Sequence, residues 1–203
     1  MSGFCYINLN EYKYDTEKAK ELIASVDGYS YKGDKLYYNG KPVKLSLKYP
    51  TGNKVREASA PLIQQNLKAI GIEVELLIME FGTLIEQAID NHDFELYLMG
   101  WGLSVDPDST GIWHSSLVGP GGWNISGFVN EKSDELLAKG TNTLDQKERE
   151  KIYNEWALLL NEEMPTVFLY SMVEGRAYNP KVKGLQLFPY GDFYDIHNIY
   201  IAK

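Results

Sequence analysis

Asp106 and Asp108 flank Pro107 just after Trp101, in the stretch "GWGLSVDPDST" from Gly100 to Thr110. Two carboxylates at this spacing admit three readings: an acid/base pair, a metal site, or the lip of a binding cleft. Proline fixes its own φ and drives the residue before it into an extended conformation, so the two carboxylates tend to splay. Asp at the start of a turn or helix is also the commoner use of D-P-D. A capped short helix over "DPDSTGIW" therefore stands ahead of a hydrolytic Asp106/Asp108 dyad, which remains the enzyme alternative.

The other reactive side chains form no recognisable set. His92, His114 and His197 lie far apart, and a zinc site needs three or four ligands. His114, in "IWHSS", reads as a loop hydrogen-bonder. Cys5 is the single cysteine, which excludes an internal disulfide or a cysteine metal cluster and leaves the compartment open. No nucleophile elbow, P-loop or dinucleotide fingerprint is present. "GPGGW", from Gly119 to Trp123, follows no strand and opens no helix, and reads as a flexible loop. No cofactor and no metal are expected.

These residues need a scaffold, and the composition supplies one. The chain has 203 residues, 44% of them hydrophobic, enough for a proper core. Its net charge of −8 argues against nucleic acid and anionic membrane as partners. Fifteen Tyr and four Trp suit a recognition surface as well as a core. No window has the roughly 20 apolar residues of a membrane span. The opening "MSGFCYINLNEYKYD" has neither the basic start nor the apolar segment of a signal peptide. It reads as loop, and the chain is expected to be a fragment.

The periodicity predicts a helix opening at Asp15 or Thr16, with Ala19, Leu22, Ile23 and Val26 on one apolar face and Gly28 as its stop. Two strands follow around the turn Asn39-Gly40, with Val43, Leu45 and Leu47 alternating against a solvated face. A helix over about 55–70 contains Pro61, which should kink it or delay its start. "IEVELLIM" is a strand, "TLIEQAIDN" a helix, and Asp93 to Met99 a central strand covered on both faces. Helices at "EKSDELLAKGT" and about 145–163 come next, and "TVFLYSM" is a further buried strand. The β-α-β-α-β order predicts an α/β fold, with helices on a largely parallel or mixed sheet.

In such folds ligands bind beyond the carboxyl ends of the strands. "FELYLM" delivers Trp101, Gly102, Leu103 and Ser104 to that edge, where an indole and free backbone groups can hold an extended ligand. Trp113, Trp123, Asn124 and Phe128, from the same long loop between residues 100 and 130, are candidates for side-chain pockets. The bland alternative is that Trp101 plugs the sheet end.

The ordered segments "YDTEKAKELI", "NGKPVKLSLKYPTG", "APLIQQNLKAIGIEVEL", "DFELYLMGWGLSVDPD", "NISGFVNEKSDELL", "KEREKIYNEWALLLNEEMPTVFLY" and "VKGLQ" resemble the C-terminal lobe of family 5 extracellular solute-binding proteins. These include the oligopeptide and dipeptide receptors of ABC importers. The resemblance runs from about Tyr12 to the end. It implies one lobe of a two-lobed, type II periplasmic-binding-protein-like fold, with solute trapped between the lobes and no catalysis. It divides the chain into a linker from a missing N-terminal lobe (1–14), the α/β lobe (15–171) and a tail returning to the first lobe (172–203). Hinges are expected near Tyr12–Asp15 and Tyr170–Val173. The implied partners are a peptide or other small solute and the transporter's permease subunits. The implied location is extracytoplasmic, in the periplasm or on the cell surface through a lipid anchor outside this chain. Peptide-binding members carry W-x-x-D after this strand, the aspartate receiving the peptide's ammonium. Here that position is Ser104, which brings no charge, and the role is not moved to Asp106 or Asp108. Nickel complexes and sugars are the alternative solutes within the family.

Overall fold

Local capping explains where most helices begin. The computed structural model describes residues 9–102, 104–173, 175–186 and 195–202. Helix α1 (Thr16–Ala24) starts where the Asp15 carboxylate accepts from the Lys18 N–H at 2.9 Å. Its expected apolar face stays largely open, with Leu22 and Val26 exposed. A ribbon follows: β1 (Tyr29–Lys32), β2 (Lys35–Tyr38) and β3 (Lys41–Pro42) pair antiparallel in that order. Asn39 and Gly40, with φ of 47° and 78°, make the expected tight turn between β2 and β3.

The main sheet is parallel. β4 (Lys44–Pro50) lies between β5 (Glu73–Met79) and β6 (Leu96–Tyr97), pairing with β5 from Lys44↔Glu73 to Pro50↔Met79. Helix α2 (Lys54–Ala69) makes the crossover and lays Ala60, Ile63 and Leu67 on Leu47, Tyr49, Val74 and Leu98. That spacing is one helical face against alternate strand positions. Pro61 does not delay α2, which begins at Lys54 under the Asn53 side chain; the proline takes an exposed position inside it.

Two strand expectations change at this sheet. Asp93 to Met99 is not a central strand: β6 is two residues long and lies at the sheet edge. Its flanking residues bond through side chains instead. The Glu95 carboxylate accepts from the Ser46 N–H at 2.5 Å and from its hydroxyl at 2.9 Å, and Lys48 donates to the carbonyl and carboxylate of Asp93. A carboxylate on the Ser46 N–H displaces a ladder bond. The centre is β4, so its expected solvated face closes over at the carboxyl half: Lys48 and Pro50 are buried, while Lys44 stays exposed.

Helix α3 (Phe81–Ile85) continues into a π turn (Glu86–Asp90), and α4 (Thr110–Trp113) is short. Helices α5 (Glu131–Asn142) and α6 (Gln146–Glu163) form a hairpin with its own core of Trp113, Leu136, Leu137, Ile152, Tyr153, Trp156 and Leu160. Gly140 lets them approach, since a Cβ there would stand 2.7 Å from the Tyr153 ring. The buried Trp156 indole donates to the Ser133 hydroxyl at 3.0 Å.

"TVFLYSM" is neither strand nor buried: Val167 is 70% and Phe168 59% exposed, and no described strand pairs with the segment. An apolar run becomes a buried strand only beside a free ladder edge and under a covering layer. In the tail, β7 (Val182–Lys183) and β8 (Tyr200–Ile201) pair antiparallel. Its apolar residues Leu187, Phe188, Phe193 and Tyr194 lie outside the described residues. No helix of the described residues is long and apolar enough to cross a membrane.

Candidate functional site

Because β4, β5 and β6 are parallel, their carboxyl ends share one edge. The chain leaves β6 through Leu98 to Gly102 there. Trp101 is 38% exposed and Trp123 43%, and their rings meet edge to face with centroids 5.7 Å apart at 67°. Two large indoles half-open to solvent, from residues 22 apart in sequence, are brought together by the fold. Gly102 and Ser104 are exposed beside Trp101, and the Ser104 hydroxyl donates to the Asp106 carbonyl at 2.6 Å. Leu103 lies outside the described residues.

Trp113, Asn124 and Phe128 face the other way. Trp113 is buried in the helical core, with Phe128 packed against it at a centroid distance of 6.3 Å. Asn124 has no exposed surface. Its amide donates to the carbonyls of Trp113, His114 and Phe128, and its oxygen accepts from the Phe128 N–H and the Ser126 hydroxyl. Such a saturated buried amide fixes a loop. Trp113 and Asn124 hold the loop that carries Trp123 from inside, with Phe128 half-buried beside them.

"GPGGW" is more constrained than its composition predicts. Gly121 donates to the Ile89 carbonyl, Gly122 to that of Gly119, and Asn124 to that of Leu117. A Cβ on Gly122 would stand 2.0 Å from the Leu117 carbonyl oxygen, so only glycine allows the chain to pass.

The carboxylates of the D-P-D stretch are structural. Asp108 accepts from the N–H and hydroxyl of Thr110 at 3.0 and 2.5 Å, at the first turn of α4. Asp106 receives both Nη atoms of Arg149 at 2.9 and 2.7 Å, and the Asp108 N–H. Hydrogen bonds from Arg149, then from that backbone N–H, hold the Asp106 carboxyl below the usual carboxylate range, and the same pairing drives the Arg149 guanidinium further up. A carboxylate held so low is a poor proton shuttle near neutrality. Arg149 also donates to the Gly140 carbonyl at 2.9 Å, so one side chain ties the Trp101 loop to the helical hairpin.

Ser116, His114 and Asp134 have the composition of a catalytic triad and lack its geometry. The Ser116 hydroxyl lies 2.9 Å from His114 Nδ1, and Asp134 lies 3.9 Å from the same nitrogen. Relay through imidazole needs nucleophile and carboxylate on opposite nitrogens. Asp134 is bound instead to the Ser115 N–H and hydroxyl. Among the described residues no group of three or more His, Cys, Asp or Glu is placed to hold a metal ion.

Arg56 is the residue that the sequence reading passed over. It is half-buried in the first turn of α2, at the same sheet edge. Its Nη2 lies 3.2 Å from where a Cβ on Gly100 would stand. The available signal was an arginine just after a helix N-cap at the carboxyl end of a strand.

A sequence profile described as bacterial extracellular solute-binding proteins, family 5 middle, matches residues 3–123. The oligopeptide-binding protein AppA of Bacillus subtilis is 34% identical over 199 residues, covering 97% of this chain and 36% of its own. The solved structure of that protein with a nonapeptide superposes with a TM-score of 0.81 at 33% identity, over 98% of this chain and 40% of that one. NikZ of Campylobacter jejuni, solved with Ni(L-His), gives a TM-score of 0.76 at 25% identity, over 95% and 40% of the two chains. The chain thus spans about a third of the length of the curated relatives it matches, and it shares their α/β lobe.

Proposed function

This chain belongs to the bacterial extracellular solute-binding proteins of family 5, and from that membership we propose that it is one lobe of a two-lobed receptor capturing a solute, an oligopeptide first, for an ABC importer. Residues 15–171 form the lobe, 1–14 lead in from the partner lobe, and 172–203 return to it. The receptor works outside the cytoplasm, held at the membrane through an anchor beyond this chain, and hands its solute to the permease subunits. It catalyses no reaction.

The observation that carries this reading is the half-exposed Trp101–Trp123 pair at the carboxyl edge of a parallel sheet. Flat apolar faces beside the backbone groups of Gly100, Gly102 and Ser104 suit an extended chain of varied side chains. The mechanism is closure of two lobes about a hinge, burying the solute between them. Two features support a hinge at this end. Asn10 and Tyr12 are hydrogen-bonded to Asn161 near the end of α6, and the exposed run from Val167 to Val173 leaves α6 at the same place. Apolar surface of that extent suits cover by another body.

The test is native mass spectrometry of the complete two-lobed receptor, purified without denaturation. A carried peptide, released on unfolding, is the expected outcome. A carried nickel complex or sugar would replace the peptide while keeping the receptor. A receptor that carries nothing and binds no peptide pool, sugar or nickel chelate by calorimetry would refute the reading.

A further inference from the structure

Four carboxylates around the sheet edge are turned to protein donors. Glu57 accepts from the Gly52 N–H at 2.8 Å, and Glu80 accepts from Gly82 and Thr83 at the start of α3. Asp106 is clamped by Arg149, and Asp108 holds Thr110. Ser104 spends its proton on the Asp106 carbonyl.

Arg56 is the exception. No described carboxylate pairs with it, and unlike the exposed Lys54 beside it, it is half-buried, in a chain of net charge −8. Nothing projects from Gly100 to cover its guanidinium, and Gly100 is the neighbour of Trp101. A guanidinium left unpaired and partly out of water favours an anion, and its planar fork matches the two oxygens of a carboxylate. An ammonium delivered here would meet that positive charge with these four carboxylates already engaged.

We propose that the solute is anchored at this edge by a carboxylate on Arg56, with its amine left out of any ion pair. The proposal rests on the solute-binding reading of the same site. Arg56 sets which end of the solute is gripped, and Trp101 with Trp123 supplies contact that does not depend on solute charge.

Calorimetry on the complete receptor, stripped of carried solute, tests this with a mixed pentapeptide pool in three forms: free at both ends, N-acetylated, and C-terminally amidated. Acetylation should change affinity by less than about twofold, and amidation should weaken it about tenfold or more, as expected for losing a charge-assisted pair. Arg56→Gln should weaken the free pool by the same factor and leave the amidated pool unchanged. Acetylation costing more than amidation would overturn the proposal, as would equal losses for both pools in R56Q. The blocked pools give this answer even if R56Q fails to fold. If none of the three pools binds, the peptide reading falls and this inference falls with it.

Discussion

Trp101 and Trp123 differ from Trp113 and Asn124 in fate, though all four come from one loop-rich stretch. The first pair is 38% and 43% exposed and touches edge to face; of the second pair, Trp113 is 7% exposed and Asn124 not at all. Composition does not separate them. What separates them is the neighbouring element. Trp113 ends α4 and packs in the hairpin core of α5 and α6, whereas Trp101 lies in the loop after an edge strand. This stretch is thus built in two layers, with inward residues fixing the loop and outward ones displayed on it.

Breaking the inward layer should have the largest effect. Trp113→Ala removes a buried indole and should cost about 3–5 kcal/mol of stability, read from denaturant midpoints. Asn124→Ala strands several buried backbone groups and should cost about 2–3 kcal/mol, with the indole of Trp123 becoming more accessible to a fluorescence quencher. If either variant melts like the parent, the inward layer is not what holds the loop.

The outward layer should respond in binding and not in folding. Trp101→Ala in the complete receptor should lose about 2 kcal/mol of solute affinity, while its stability moves by less than about 1 kcal/mol. Collapse of stability with affinity per folded molecule unchanged would assign Trp101 to the core.

The smallest effect tests the link between layers. Asp106→Asn removes an ion pair whose carboxylate side is 55% exposed and should cost less than about 1 kcal/mol of stability. The sign of its pH dependence is set by the lowered carboxyl. A group whose pKa falls on folding contributes stability above the unfolded value and loses it as pH drops through the folded one. The Arg149 clamp should therefore persist below pH 3.8, the ordinary carboxyl value, and release only in stronger acid. Tryptophan fluorescence followed down to that range should show a transition in the parent that is absent in D106N.

Short-range chemistry made much of this molecule legible from its sequence alone. Asp15, Asn53, Asn130 and Asp145 cap helices with their own side chains, and Asn39-Gly40 turns a hairpin, because each acts on backbone groups a few residues away. Alternation and 3.6-residue spacing were enough for β5, α2 and α6, and Asp108 bonds the first residue of α4, ahead of the cap position at Ser109, for the same local reason. Tertiary structure alone decided the rest. Lys48 is buried because β4 is the central strand, paired on both sides by β5 and β6, and β6 is short where the side chains of Glu95 and Asp93 bond to β4 instead. "TVFLYSM" stays open because no described strand offers it an edge. Arg56 reaches Gly100, and Trp101 reaches Trp123, only through the packing of separate elements. Propensity and capping are properties of neighbours along the chain; burial and the direction a side chain faces are properties of whatever lies across from it.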